Sequence, residues 1–173
     1  MCLGWAAAGC RSRAHAPSYI DLIHQFPSAQ KRSALAPAEA FALLDAEVGG
    51  AVKSSLRTCG ASRITWSVRL PRNAVLRTAI APDRSGNAGR SAVALRIGIS
   101  DRRRYEGLFR HEFAPAPPGT RESWQPVTVS LSAYSGWQWS LFYRPWETTW
   151  DLVFATDGAG CGYWAAPRIE MAK

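Results

Sequence analysis

Apolar side chains recur at every second position through most of this chain, and this period limits what it can fold into. In residues 63–70 the apolar positions are Ile64, Trp66, Val68 and Leu70, with polar residues between them. Such alternation is typical of a strand with one face on the core and one in solvent. Pro71 then ends the run, because proline cannot donate a backbone hydrogen bond. Further strands are predicted at 74–81, 92–100, 105–113, 150–156 and 163–169.

A strand-turn-strand unit is predicted between residues 124 and 143. Val127, Val129 and Leu131 alternate with polar residues, and the sequence LSAYSG begins at Leu131. Ser132 can cap one short helical turn through its hydroxyl, and Gly136 can take the positive φ that lets the chain leave. The next strand is expected to carry a second apolar face, made of Trp137, Trp139, Leu141 and Tyr143.

These runs predict an all-β fold, an antiparallel β-sandwich of the jelly-roll type. About eight to ten strands are separated by turns, and the absence of a helical pattern between them disfavours a parallel α/β sheet. Eight Trp, eleven Pro and fourteen Gly in 173 residues agree with strands and turns. One domain is predicted over 19–173, in which 19–26 forms a short helix or an edge strand and Gly49 and Gly50 form a hairpin turn.

The residues before position 19 are predicted to lie outside this domain. Residues 1–10 are apolar, and the sequence AAGC that ends at Cys10 resembles a bacterial lipobox, in which the cysteine thiol accepts the lipid. Nine residues without a basic region precede Cys10, so either the true start lies upstream and Cys10 is lipidated, or AAGC is a chance sequence. Residues 11–18 are basic and contain a proline, and we expect a disordered tether there.

Two short motifs resemble those of a bacterial family of jelly-roll domains related to the galactose-binding-like and carbohydrate-binding-module folds. One is the strand that leads into LSAYSG, and the other is YWAAPRIE at 163–170. The family pattern is V-x-DLS-x-Y-x-G and W-x-x-P-x-I, and Ser130 stands here in place of the usual aspartate. The resemblance covers residues 62–170. It implies an envelope or extracellular binding module without catalytic residues of its own, and it names no sugar.

Two cysteines outside the N-terminal segment stand near the ends of the predicted core. Cys59 precedes the first core strand and Cys161 precedes the last one. They could form a disulfide only if those two strands are neighbours, as a jelly roll often arranges. Because the sequence does not supply the distance between their Cα atoms, it favours two unpaired thiols.

Motifs of catalytic and cofactor chemistry are missing from the sequence. His15, His24 and His111 cannot build a His-rich zinc set, and no GxSxG, P-loop or GxGxxG pattern occurs. We therefore expect no metal, no cofactor and no catalytic residue. Glu147 and Asp151 leave one alternative open, a glycoside-active enzyme on the same scaffold, because glycosidases use a pair of carboxyl groups.

The tryptophan-rich region from 137 to 150 contains the predicted carbohydrate contact. A solvent-facing Trp offers a flat apolar platform for a sugar ring, and neighbouring polar groups can bond the sugar hydroxyls. We expect Trp139, Trp146 and Glu147 to line this surface. The two-residue period predicts core positions for four other tryptophans, Trp66, Trp137, Trp150 and Trp164.

Arginine dominates the charge of the chain. Eighteen Arg and three Lys stand against thirteen acidic residues, which gives a formal net charge of +8. The densest basic patch is Arg102, Arg103, Arg104 and Arg110, which could grip phosphate or acidic polysaccharide, although a charge run of this kind is more typical of a solvated turn. Nucleic acid is disfavoured as a partner because few aromatic residues are interleaved with the patch.

The sequence therefore predicts a non-catalytic, monomeric binding module of the cell envelope or the extracellular space. Its partner is expected to be a carbohydrate or an envelope protein, and it would contact a membrane only through a lipid anchor. Two alternatives remain, the glycoside-active enzyme and a basic surface that binds acidic polymers.

Overall fold

The computed structural model of this protein consists of two antiparallel β-sheets packed face to face. The structure describes residues 19–85, 91–117, 120–135 and 149–172. Two helical turns, α1 (Pro37–Ala40) and α2 (Ser132–Ser135), and one 3-10 turn (Phe26–Ser28) connect strands. The strands of the described residues are β1 (Tyr19–Asp21), β2 (Gln30–Ser33), β3 (Phe41–Val48), β4 (Ala51–Cys59), β5 (Ser62–Val68), β6 (Ala74–Pro82), β7 (Val93–Ser100), β8 (Tyr105–Phe113), β9 (Gln125–Ser130), β10 (Trp150–Gly158) and β11 (Cys161–Met171).

The strands divide between two sheets, and the chain crosses repeatedly from one to the other. Sheet A has the order β3-β4-β11-β6-β9, and β1 also pairs with β11. Sheet B has the order β2-β5-β10-β7-β8. All neighbouring strands are antiparallel. The all-β sandwich predicted from the two-residue period is therefore confirmed, and the segment from residue 19 begins with a short strand rather than a helix.

The inward faces of the two sheets form one continuous apolar core. Trp66 of β5 and Trp164 of β11 are buried, as the sequence predicts. Both rings pack on Phe154, at centroid distances of 5.0 and 4.5 Å. Trp150 is half-buried against the same core, and its ring lies 5.3 Å from that of Tyr134. Full burial of an aromatic side chain stabilises a fold by about 1.5–3 kcal/mol, so this cluster fixes how the sheets face each other.

Two of the predicted turns begin where the sequence places them, whereas Gly136 and the strand predicted to follow it lie outside the described residues. Gly49 and Gly50 join β3 to β4 with φ values of 63° and 80°, which glycine tolerates without steric cost. The Ser132–Ser135 turn follows β9, and the backbone N–H of Ser132 lies 3.4 Å from the Ser130 hydroxyl. Strand β8 contains a β-bulge, because it pairs Gly107 with Gly98 but Phe109 with Ile97.

Cys59 and Cys161 form a disulfide, so the expectation of two unpaired thiols is wrong. The two residues are direct partners in the register of β4 and β11. The sequence does not show the order of the strands in sheet A, in which β11, the last strand, is a neighbour of β4. The bond links residues that are 102 positions apart in sequence. In the chain-entropy estimate, closing a loop of that length stabilises the fold by about 4.7 kcal/mol.

Candidate functional site

The outer face of sheet B carries polar and charged side chains around a small apolar floor. Along β10, Leu152 and Phe154 point into the core, so Val153 and Ala155 point outward. These outward residues are nonetheless buried, at 1% and 7% exposure. Larger side chains on the neighbouring strands must therefore cover them. Val153 and Ala155 thus form a neutral strip in the middle of a charged surface. We call the whole outward surface of sheet B the sheet B face.

Tyr105 lies across this face rather than away from it. A Cβ atom added to Gly98 would lie 2.3 Å from the Tyr105 hydroxyl oxygen and 2.4–2.5 Å from two ring carbons. The phenol therefore rests on the glycine backbone of β7, in space that any other residue would fill. The side chain is still 47% exposed. Tyr105 thus rests on the sheet and still presents part of its aromatic ring to the solvent.

A groove with a volume of about 540 Å³ runs beside Tyr105. Val153 and Ala155 form part of its floor, and Arg63 and Arg96 lie on either side. The guanidinium carbon of Arg63 lies 5.5 Å from the centroid of the Tyr105 ring. Hydrogen-bonding groups and an aromatic ring therefore converge on one shallow depression, which is the usual composition of a small-molecule or sugar site.

Four arginines stand in one row across sheet B, at right angles to its strands. The register pairs Arg32 with Arg63, Arg63 with Ala155, Ala155 with Arg96, and Arg96 with Arg110. Because directly paired residues point to the same side of a sheet, all four side chains belong to the sheet B face. We call this set the arginine row.

In the part of the chain that the structure describes, carboxylates pair with the arginines on one side of the arginine row and not with those on the other. Arg96 contacts Asp157 through two nitrogens, with Nε–Oδ2 at 2.7 Å and Nη2–Oδ1 at 3.0 Å. Arg110 forms an ion pair with Glu112. Among the residues that the structure describes, Arg32 and Arg63 take part in no ion pair. The uncompensated positive charge therefore lies on β2 and β5.

The turn between β7 and β8 closes one end of the sheet B face. Asp101 accepts hydrogen bonds from the backbone N–H groups of Arg104 and Arg103, at 2.7 and 2.8 Å, and these bonds lower the pKa of its carboxyl group. Asp151 accepts a hydrogen bond from the Ser67 hydroxyl at 2.7 Å and from Arg102 Nε at 3.3 Å. The carboxylate of Asp151 is thus held in place by protein donors.

The basic patch predicted from the sequence is divided by the fold. Arg102, Arg103 and Arg104 lie in the exposed turn before β8, and Arg102 reaches Asp151. Arg110 lies further along β8 and belongs to the arginine row. Residues that are close together in the sequence therefore lie in different surroundings, and the four arginines do not form one patch. Four other residues predicted to be functional, Cys10, Trp139, Trp146 and Glu147, lie outside the described residues.

A second polar region lies on the outer side of sheet A. Asp83, which is 2% exposed, accepts hydrogen bonds from Arg57 Nε at 2.8 Å and from the Ser85 hydroxyl at 2.6 Å. Burial, together with the charge of Asp83, raises the pKa of Tyr163 to about 12. Nearby, Glu122 accepts two hydrogen bonds from Arg84. Because both carboxylates are held by protein donors, this network anchors the loops after β6 and before β9.

In residues 19–85, 91–117, 120–135 and 149–172, no three His, Cys, Asp or Glu side chains are grouped so that they could hold a metal ion. Within the same ranges, no helix has the length and apolar character that a membrane crossing requires.

Sequence reasoning missed the arginine row and the position of Tyr105. The row is built from residues of four separate strands, which are 14 to 78 positions apart in the sequence. Only the pairing of the strands brings these residues together. One signal was present in the sequence, because Gly98 stands between Ile97 and Ile99 inside a predicted strand. A glycine inside a strand often marks close approach by another group. The group here is Tyr105.

The sequence matches no protein-family model and none of the curated proteins. Solved structures do resemble it. TmCBM61, solved in complex with beta-1,4-galactotriose, superposes with a TM-score of 0.53 at 10% identity, over 85% of this chain and 90% of that one. The K1 cleaved adhesin domain of Lys-gingipain from Porphyromonas gingivalis W83 superposes with a TM-score of 0.54 at 13% identity, over 84% of this chain and 92% of that one.

These likenesses establish the fold. The chain has a β-sandwich like that of a carbohydrate-binding module and of adhesin domains, which confirms the architecture implied by the two sequence motifs. At these identities the ligands of the solved structures carry no weight for individual residues, because one sandwich supports many unrelated sites.

Proposed function

We propose that this protein is a non-catalytic carbohydrate-binding module that binds its glycan on the sheet B face. The observation that carries the proposal is Tyr105, whose ring rests on Gly98, remains 47% exposed and borders a groove. An aromatic ring held in this way is pre-organised, so little conformational entropy is lost when a ligand stacks on it.

The rim of the groove supplies what a sugar needs besides the aromatic surface. A sugar ring has an apolar face of C–H groups and a periphery of hydroxyls that both donate and accept hydrogen bonds. Arg63 can donate to these hydroxyls, and Asp157 can accept from them while it stays bound to Arg96. The floor of Val153 and Ala155 leaves the middle of the groove low and neutral.

Binding explains the carboxylates of this face better than catalysis does. Asp151 and Asp157 are each held by an arginine. That environment suits a fixed acceptor, whereas a glycosidase needs one carboxyl group that can donate a proton. The alternative with Glu147 and Asp151 as a catalytic pair is tested by incubating the protein with glycans that bind to it. Release of new reducing ends, lost in Asp151→Asn, would support the enzyme.

The proposed location is the cell envelope or the extracellular space. The Cys59–Cys161 disulfide supports it, because structural disulfides persist in oxidising compartments. Lipidation at Cys10 is part of the same proposal. Metabolic labelling with a palmitate analogue tests it, with label expected on the wild type and none on Cys10→Ala. Absence of label on the wild-type protein would refute lipidation at Cys10 and would leave the proposed glycan site untouched.

Trp139, Trp146 and Glu147 remain proposed as additional glycan contacts. They are tested apart from Tyr105, as single alanine variants on the same glycan panel. Weaker binding in Trp146→Ala or Trp139→Ala would extend the site. Unchanged affinity in all three variants would limit the site to the sheet B face.

The test of the proposed function compares two tyrosines of similar exposure. Tyr105 is 47% exposed on sheet B, and Tyr19 is 45% exposed on sheet A. Wild type, Tyr105→Ala and Tyr19→Ala are applied to a glycan array, and the affinity for each positive glycan is then measured by calorimetry. We expect Tyr105→Ala to weaken binding about tenfold and Tyr19→Ala to leave it unchanged. Equal affinities in all three proteins would contradict the proposed surface.

A further inference from the structure

We propose that the sheet B face selects an acidic glycan, one whose sugar rings carry a carboxylate or a sulfate, and that Arg32 and Arg63 bind this anionic group. The inference rests on the proposed function and adds to it the chemical class of the ligand. It is argued from the arginine row, in which Arg96 and Arg110 have a carboxylate partner, whereas Arg32 and Arg63 have none among the described residues.

The pairing of Arg32 with Arg63 is unfavourable without a ligand. The two residues are direct partners on adjacent strands, where side chains lie about 5 Å apart at their Cβ atoms. Like charges in this position destabilise a sheet, and none of the ion pairs formed by the described residues offsets the repulsion. A bound anion would remove the cost, because one carboxylate or sulfate can accept hydrogen bonds from two guanidinium groups.

The geometry of the row also fits a charged sugar. Strands are spaced by about 4.8 Å, so the backbones of Arg63 and Arg96 lie roughly 10 Å apart with Ala155 between them. A sugar ring over the small Ala155 side chain would have Arg63 on one side and the Arg96–Asp157 pair on the other. Its anionic substituent would meet Arg63 and Arg32. Its ring would lie beside Tyr105, since the guanidinium of Arg63 is 5.5 Å from that ring.

A nucleic acid fits the same face less well. Asp157, Glu112 and Asp151 all lie on the sheet B face, among the arginines. A backbone with a phosphate on every nucleotide would meet these carboxylates as well as the arginines. An acidic sugar has free hydroxyls that can donate hydrogen bonds to a carboxylate, so a face of mixed sign suits it. Tyr105 is also the one large exposed aromatic among the described residues of this face.

The experiment separates the charge of the ligand from its sugar character. Wild-type protein is titrated calorimetrically with trigalacturonate, with a kappa-carrageenan tetrasaccharide as the probe that carries sulfates and no carboxylate, with neutral beta-1,4-galactotriose, and with a single-stranded DNA oligonucleotide. The variants are Arg63→Gln and Arg32→Gln, which remove one charge and keep a polar side chain. Arg103→Gln, in the exposed turn before β8, removes the same charge away from the arginine row.

We expect at least one acidic glycan to bind at least about tenfold more tightly than galactotriose. Arg63→Gln and Arg32→Gln should each weaken the acidic glycan by about tenfold, with Arg103→Gln within about twofold of wild type. Circular dichroism confirms that each variant is folded. The probe with the larger loss tells whether the row binds a carboxylate or a sulfate.

The contrary outcomes are distinct. Equal affinity for neutral and acidic glycans, or equal loss in Arg103→Gln and Arg63→Gln, overturns the inference and leaves carbohydrate binding intact. Tighter binding of the oligonucleotide than of either acidic glycan overturns it in favour of a nucleic-acid surface. No binding to any glycan on the array, neutral or acidic, refutes the proposed function itself.

Discussion

Replacing Gly98 by alanine should impair glycan binding without unfolding the protein. The added methyl group would lie 2.3 Å from the Tyr105 hydroxyl oxygen, whereas ordinary contacts begin at 3.4 Å. The ring must therefore retreat by about 1 Å or rotate away from the sheet. Tyr105 is exposed and can do so at small cost. Gly98 has an ordinary strand backbone rather than a positive φ, so alanine adds no backbone strain.

The expected change in stability is small because two effects oppose each other. A glycine-to-alanine change at a compatible position stabilises by about 0.4–1 kcal/mol, through the entropy of the unfolded chain. Re-exposing roughly 50 Å² of the Tyr105 ring costs about 1.3 kcal/mol at 25 cal/mol/Å². The free energy of unfolding should thus stay within about 1 kcal/mol of wild type. Glycan affinity should fall about two- to tenfold, the loss of one aromatic stacking contact.

Gly107→Ala is the matched control for Gly98→Ala. Gly107 is the direct partner of Gly98 on β8, and a Cβ there would meet nothing within 4 Å. Urea denaturation and calorimetric titration are carried out on both variants. Unchanged affinity in Gly98→Ala would refute the role of the ring that rests on Gly98. An equal loss of glycan affinity in Gly107→Ala would show that any added methyl group disturbs the sheet. It would then contradict a specific role for the contact between Tyr105 and Gly98.

Three further predictions concern stability. Changing both Cys59 and Cys161 to alanine should lower the free energy of unfolding by about 2–5 kcal/mol in urea, and a difference under about 1 kcal/mol would contradict the loop-closure argument. Leu56→Ala should lower the free energy of unfolding by about 2–5 kcal/mol, because Leu56 is fully buried. Leu43→Ala, at the strand partner of Leu56, should lower it by under about 1 kcal/mol, because Leu43 is 44% exposed. Similar losses in the two variants would contradict the assignment of Leu56 to the core. Because burial raises the pKa of Tyr163 to about 12, the folded state keeps a proton that the unfolded state releases from pH 10 upward. The free energy of unfolding should therefore fall between pH 10 and about 12. Tyr163→Phe should make this fall less steep, and an unchanged pH dependence in Tyr163→Phe would contradict the prediction.

The fold could be predicted because its signals are local. The alternation Ile64, Trp66, Val68 identifies β5 and its buried face without knowledge of the rest of the chain. The Gly49–Gly50 turn and the short helix at Ser132 were likewise readable from a few consecutive residues. These features depend on backbone conformation and on the period of burial, which the sequence carries directly.

The site could not be predicted in the same way, because it depends on sheet order. Arg32 and Arg110 belong to one row only because β2, β5, β10, β7 and β8 are neighbours in that order. The pairing of Cys59 with Cys161 depends on the same kind of information for sheet A. A basic run such as Arg102–Arg104 is easier to see in the sequence, yet those residues lie in an exposed turn.

The proposed glycan surface is the sheet B face. The most direct measurement is amide NMR of isotope-labelled protein titrated with the glycan that binds most tightly on the array. We expect the largest shifts at Arg63, Gly98, Tyr105 and Ala155, with little change at Tyr163 on sheet A. Shifts centred on Tyr163 and the loops beside it, with the signals of the sheet B face unmoved, would contradict the proposed surface.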